Sequence, residues 1–116
     1  MQRIGKDPMS KYLIIESRDP YESRDAQYVY DLASALKRNG SEVTIFLVQN
    51  GVVPTRRNAE ACGLGYVIEA GVTVLADNFS LRERAIGKNE LIDGVRAASL
   101  SYVVDALEQG AKTIWH

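Results

Sequence analysis

Residues 71–86, with the sequence GVTVLADNFSLRERAI, decide how the chain folds because a buried strand runs directly into a short helix there. The apolar segment 72–76 predicts the strand, and the segment 79–86 predicts the helix. In parallel α/β domains the loop after a central strand faces the amide N–H groups of the next helix, and chemistry is usually found there. Three polar residues occupy this loop: Asp77, Asn78 and Ser80.

Length and composition predict one soluble globular domain. The chain has 116 residues, of which 46% are hydrophobic and 25% are charged, enough for one core and too few for two. A net charge of -1 gives no electrostatic reason to expect a nucleic acid or an anionic membrane as a partner. No apolar run approaches the roughly 20 residues that cross a bilayer.

The start of the chain and its cysteine content bear on location. Residues 1–8 lack the apolar core of a signal peptide, so we expect a leader or an expression remnant there and the domain over residues 9–116. A single cysteine excludes an intramolecular disulfide and fits a reducing compartment. We therefore expect a cytoplasmic protein.

Strand and helix patterns alternate along the chain. Apolar runs predict strands over five segments: 12–16, 43–48, 72–76, 91–97 and 112–115. Apolar residues at three- and four-residue spacing predict four helices: 25–39, 55–70, 79–86 and 100–107. This order predicts a single three-layer α/β domain, in which a mostly parallel five-stranded sheet carries helices on both faces in a flavodoxin-like arrangement.

The same spacing predicts which helical residues face the sheet. In the first helix these residues are Ala26, Val29, Leu32, Ala33 and Leu36. In the second helix they are Ala59, Cys62, Tyr66, Val67 and Ala70.

In this layout the chain resembles the DsrE/DsrF-like family of small sulfur-relay proteins, which includes the TusD-type subunits. The resemblance rests on residues 47–52, LVQNGV, after the second strand and on residues 69–74, EAGVTV, around the start of the third. The opening strand and helix and the closing helix and strand add to it. It implies assembly into dimers, trimers or hexamers. It also implies a persulfide on a cysteine just after the third strand, followed by an arginine and a glycine in the next helix.

The sequence departs from that pattern at the position where the persulfide belongs. Aligning the segment 71–72 and Arg84 with the family places Asp77 at the cysteine position and Ala85 at the glycine position. A carboxylate cannot form a persulfide, because this chemistry needs a thiolate. We therefore expect an atypical member associated with sulfur metabolism that acts as a non-catalytic binding or scaffold subunit. The alternative is an anion-binding protein or enzyme.

The only thiol belongs to Cys62, which has two interpretations. It can be a displaced sulfur acceptor, or it can fill a small gap on the inner face of the second helix, as free cysteines often do. One cysteine and one histidine, His116, cannot form a closed zinc site, so we expect no metal. We expect no cofactor either. A residue at a chain end is usually frayed, so we do not expect His116 to be catalytic. The sequence also suggests no Ser-His-Asp or Cys-His pairing that would include it.

The polar loop after the third strand also has two interpretations. Asp77, Asn78 and Ser80 can bind a small ligand at the carboxyl edge of the sheet. Alternatively, one of them caps the following helix by accepting an amide N–H in its first turn, which contributes about 1 kcal/mol.

Arginines follow each of the first three strands and suggest an anion site. Because the carboxyl ends of parallel strands lie at one edge of the sheet, we expect these arginines at that edge: Arg18, Arg24, Arg56, Arg57, Arg82 and Arg84. Guanidinium groups suit phosphate, sulfate or thiosulfonate oxygens, and the candidate ligand residues are Arg56, Arg57 and Arg82. The alternative is that the arginines pair on the surface with Glu22, Glu60 or Glu83.

The six tyrosines either line contacts between subunits or complete the core and surface of a monomer, and the small core adds an argument for self-association. A domain of this size buries only about two-thirds of its unfolded surface, so contact with a copy of itself adds stability. Together with the resemblance, this predicts a homo-oligomer, a trimer or hexamer first and a dimer as the fallback, with Phe79 near the contact. A sulfur-relay protein is the other partner that the resemblance implies.

Overall fold

The computed structural model describes residues 10–57 and 63–116, and in these residues five strands and four α-helices alternate. The strands are β1 (Lys11–Glu16), β2 (Glu42–Leu47), β3 (Thr73–Asp77), β4 (Val95–Ala98) and β5 (Lys112–Trp115). The helices are α1 (Asp25–Arg38), α2 (Leu64–Glu69), α3 (Asn78–Glu83) and α4 (Ser101–Glu108). Two 3-10 segments, Gln49–Thr55 and Lys88–Glu90, lie in the connections. Residues 1–8, the expected leader, lie outside the described part.

The five strands form one parallel sheet in the order β4-β3-β2-β1-β5. The chain therefore adds strands in one direction from β1 to β4 and then crosses back to place β5 beside β1. With right-handed crossovers, this order puts α1, α2 and α3 on one face and α4 on the other. The predicted three-layer α/β domain is confirmed.

The two faces of the sheet carry cores of very different size. Side chains alternate between faces along each strand, so Ile14 faces the α1 and α2 layer while Leu13 and Ile15 face α4. Among the described residues, seventeen buried apolar residues form the cluster on the α1 side. Only five form the cluster on the α4 side: Leu13, Ile15, Phe46, Val48 and Leu75.

The second predicted helix differs most from the structure. The sequence predicts a helix over 55–70, but residues 49–55 form a 3-10 segment and α2 covers only 64–69. Between them, Arg56 forms an isolated antiparallel β-bridge with Leu91. Gly63 precedes α2 with a φ of 93°, a left-handed conformation that suits glycine and prevents the helix from extending backwards. Residues 58–62, including Cys62, lie outside the described part.

Two apolar helical residues were assigned to the wrong side. Leu32 is 41% exposed and Tyr66 is 77% exposed. In α1 the buried stripe consists of Ala26, Val29, Tyr30 and Ala33, which rotates Leu32 towards solvent. In α2 the buried residues are Leu64 and Val67, and Tyr66 points away from them. In the described part of the chain, no helix is long and apolar enough to cross a membrane.

Candidate functional site

The loop after β3 is organised by the carboxylate of Asp77. Asp77 ends β3 and forms the N-cap of α3, and it is only 5% exposed. Its Oδ2 atom accepts a hydrogen bond from the Ser80 amide at 2.9 Å and another from the Ser80 hydroxyl at 2.7 Å. This carboxylate is therefore engaged in capping the helix, which contributes about 1 kcal/mol.

Ser80 extends this interaction to the loop after β2. Its buried hydroxyl donates to Asp77 and at the same time accepts the amide N–H of Gln49 at 2.8 Å. Gln49 has a φ of 51°, a left-handed conformation that is unusual for a residue with a side chain. We call Asp77, Ser80 and Gln49 the edge network. It links the ends of the neighbouring strands β2 and β3.

Arg84 adds a second link between the same loops. Its Nε and Nη2 atoms donate to Oδ1 of Asn50 at 3.2 and 3.0 Å, and its Nη1 atom donates to the carbonyl of Ser80 at 3.3 Å. The contact between Arg84 and Glu83, at 4.0 Å and partly exposed, adds little. The guanidinium thus holds the loop after β2 against α3.

The loop after β2 also fits closely against β1. The Val48 amide donates to the Glu16 carbonyl at 3.0 Å. At Gly51, a Cβ atom would overlap that same carbonyl oxygen, so no side chain is tolerated there without a backbone shift. The end of β1 is therefore fixed to the loop that carries Gln49.

A buried pair at the other side of β1 was missed by the sequence reasoning. The Glu16 side chain is fully buried, and its two carboxylate oxygens lie 2.9 and 2.8 Å from Nδ1 of His116. The Arg18 amide also donates to this carboxylate at 3.1 Å. His116 is not frayed, because its amide donates to Ile15 and its carbonyl accepts from the Ser17 hydroxyl at 2.9 Å.

The signal for this pair was faint but present in the sequence. Glu16 directly ends an apolar strand, where a buried carboxylate needs a partner. His116 directly follows β5, the strand that lies beside β1 in the parallel sheet. Sequence alone does not reveal that these two strands are neighbours.

The arginines do not all meet in one place. Arg56 and Arg57 line a cavity of about 300 Å³ together with Asn89 and Glu90. The Arg57 guanidinium donates to the Leu91 carbonyl at 3.1 Å, and it lies 3.8 Å from the exposed Asp93 carboxylate.

The remaining candidate residues lie apart from that cavity or close to the edge network. Arg82 is exposed on α3 and is not among the described residues that line the cavity. Asn78, the first residue of α3, is half-buried beside Asp77. In the described part of the chain, no three His, Cys, Asp or Glu residues group as metal ligands.

The arrangement around Asp77 is suited to bracing rather than to nucleophilic chemistry. Ser80 is 4% exposed, and its hydroxyl already has both a donor and an acceptor as partners. The Asp77 carboxylate accepts two hydrogen bonds from the same residue. A reacting molecule would have to displace these bonds to reach either group.

We expect Ser80→Ala to lower the free energy of unfolding by about 1–3 kcal/mol, because Gln49 and Asp77 both lose a hydrogen-bond partner. Ser101→Ala is the matched control, since Ser101 is exposed and its loss should change stability by no more than about 0.5 kcal/mol. Urea unfolding followed by circular dichroism measures both. Equal effects of the two substitutions would contradict a bracing role for Ser80.

Comparisons with known proteins agree on the fold. A structure of the ychN protein from E. coli is 23% identical, with a TM-score of 0.81 over 93% of this chain and 100% of that chain. The protein of unknown function MTH1491 from Methanobacterium thermoautotrophicum is 18% identical, with a TM-score of 0.77 over 93% of this chain and 99% of that chain. BT1422 from Bacteroides thetaiotaomicron is 15% identical, with a TM-score of 0.67 over 91% of this chain and 95% of that chain. A search of curated proteins found no significant match.

The family comparison covers nearly the whole chain. The model of the DsrE/DsrF-like family matches residues 10–115, which include all five strands and all four helices described above. The fold, the strand order and this match lead to one conclusion. The chain belongs to the DsrE/DsrF-like family.

Proposed function

We propose that this protein is an atypical family member, associated with sulfur metabolism, that acts as a binding or scaffold subunit rather than as a persulfide carrier. The observation that carries the proposal is the state of Asp77. The resemblance places the family's sulfur-bearing cysteine at this position, and a carboxylate cannot take that role. Its oxygen caps α3 and holds Ser80 instead.

The setting of Asp77 supports a structural role for the whole loop. A cysteine that carries sulfur has to be reached by a donor and an acceptor, whereas Asp77 is 5% exposed and Ser80 is 4% exposed. The chain has kept the strand-loop-helix geometry and uses its polar groups to bind one another. The function then depends on the surface that this geometry presents to a partner.

The proposal includes a homo-oligomer in the cytoplasm, with a trimer or hexamer first and a dimer as the fallback. Phe79 supports it, because this large apolar side chain is 57% exposed directly beside the edge network. Exposed aromatic residues of this kind are common at protein contacts. The other expected partner is a sulfur-relay protein.

Incubation with a sulfur donor tests the non-carrier part of the proposal. We expect the intact mass of the wild-type protein to stay unchanged, while a persulfide-accepting control protein gains the mass of one sulfur atom. Cys62→Ser is the matched variant, since Cys62 is the only thiol of the chain. A sulfur adduct on the wild type that disappears in this variant would contradict the proposal and assign sulfur transfer to Cys62.

A second candidate function is the binding of a small anion, and the cavity lined by Arg56 and Arg57 favours it. Two guanidinium groups at one opening match the oxygens of phosphate, sulfate or thiosulfate. A volume of about 300 Å³ is at the lower end of the range for ligand pockets. The carboxylate of Glu90 in the lining repels an anion and weakens the attraction of the two arginines. Arg57 also already donates a hydrogen bond to the Leu91 carbonyl.

Thermal unfolding in the presence of phosphate, sulfate, thiosulfate and nucleotides tests this alternative. An anion that binds, present at about 100 times its dissociation constant, should stabilise the protein by about 2.7 kcal/mol. Arg56→Ala should abolish the shift, whereas Arg38→Ala at the end of α1 should leave it intact. If none of these anions raises the unfolding temperature, the cavity has no role in binding them.

A further inference from the structure

The face of the sheet under α4 is covered only in part. In the described part of the chain, α4 is the single helix on this face, and none of its eight residues is buried. By contrast, α1 on the opposite face buries four residues and shares its layer with α2 and α3. A helix that completes a core normally buries one apolar stripe. Within residues 10–57 and 63–116, α4 therefore has no second helix beside it, whereas α1 has two.

The rotation of α4 about its axis is fixed by Tyr102. Its ring stacks on Phe46 with the centroids 6.3 Å apart and the planes 5° apart, and its hydroxyl lies 3.0 Å from Oγ1 of Thr44. These contacts hold one side of the helix on the sheet. A second apolar stripe consequently faces away, and its members are Leu100, Val104 and Leu107 at 57%, 55% and 52% exposure.

Trp115 is a further exposed apolar residue on this face of the sheet, and it lies on the edge strand β5. It pairs with Ile15, which belongs to the core under α4, so it lies on the same face of the sheet. Its exposure is 69%. We call Leu100, Val104, Leu107 and Trp115 the α4 surface.

We propose that a second copy of this chain covers the α4 surface. The inference rests on the proposed homo-oligomer and names the surface by which it forms. The exposed parts of the four side chains add up to on the order of 500 Å², and a standard interface buries about 800 Å² per partner. The α4 surface thus supplies more than half of the area that a stable contact needs, and most of it is apolar.

The charges around the α4 surface fit a copy of the chain better than a strongly charged partner. Asp105 and Glu108 are exposed on α4, while Arg96 is exposed on β4 and pairs with Leu75 of the α4-side core. Both signs are present on one face, so a two-fold contact can set the acidic residues of one copy opposite Arg96 of the other. The net charge of -1 adds little repulsion between copies.

The α4 surface begins at the same edge of the sheet as the edge network. Asp77 and Ala98 are paired at the ends of β3 and β4, and the exposed residues Phe79 and Leu100 each follow two positions later. The two apolar side chains therefore leave the same edge of the sheet from neighbouring strands. Phe79 belongs to α3 on the opposite face of the sheet, so a copy reaches both side chains only if its contact extends around this edge.

A leucine pair on opposite faces provides the test. Leu107→Asp places a carboxylate in the proposed contact, whereas Leu32→Asp makes the same change on α1, where Leu32 is 41% exposed. Light scattering coupled to gel filtration over a range of micromolar concentrations gives the mass of each protein, and circular dichroism verifies the fold. We expect an oligomeric wild type, at least about tenfold weaker association for Leu107→Asp, and no change for Leu32→Asp.

The possible failures of the two proposals can be told apart. A wild-type mass of one 12.8 kDa chain at every concentration would overturn both the homo-oligomer and the α4 contact. An oligomeric wild type with equal association in both folded variants would overturn the α4 contact and leave the homo-oligomer standing. If Leu107→Asp does not fold, Val104→Lys takes its place with Gln27→Lys on α1 as its control, and the same two results decide.

Discussion

The hydroxyl of Ser80 lies between two loops and forms a hydrogen bond with each of them. It donates to the buried carboxylate of Asp77 and accepts the amide of Gln49, so the start of α3 and the exit of β2 cannot move independently. A buried carboxylate without hydrogen-bond donors lowers the stability of the fold, so Asp77 depends on Ser80 as much as Ser80 depends on Asp77. Asn50 and Arg84 reinforce the same link from the solvent side.

This constraint extends along the carboxyl edge of the sheet. Next to Gln49, the Val48 amide binds the carbonyl of Glu16, and the side chain of Glu16 binds His116 beyond β5. Strands β3, β2, β1 and β5 are therefore connected at one edge by polar contacts in addition to the backbone ladder. In a parallel α/β domain that edge usually holds the reactive groups. Here the buried polar groups bind one another, and the exposed residues nearby include the apolar side chain of Phe79.

The architecture could be predicted because periodicity determines it locally. The alternation of strand and helix patterns gives the parallel sheet, and β5 covers residues 112–115 as predicted. The capping of α3 was one of two interpretations of the polar loop, since Asp77 and Ser80 stand at the spacing of an N-cap and its third helical residue. These features depend on residues close together in the chain.

The rest depends on contacts that local pattern does not encode. Gly51, within the 3-10 segment Gln49–Thr55, fits closely against Glu16, and this contact is visible only once β1 and β2 are paired. Glu16 and His116 lie 100 positions apart. The sequence predicts Tyr66 on the inner face of a longer helix, but α2 is shorter than the apolar pattern suggests and Tyr66 is exposed.

Native-state hydrogen exchange of two amide protons tests the central claim most directly. If Asp77, Ser80 and Gln49 brace the edge of the sheet, the amides of Gln49 and Ser80 open only with large parts of the domain and exchange nearly as slowly as that of Ile45 in β2. Exchange of both amides at the rate of an unprotected loop would show that the network does not hold this edge, and the account would be contradicted.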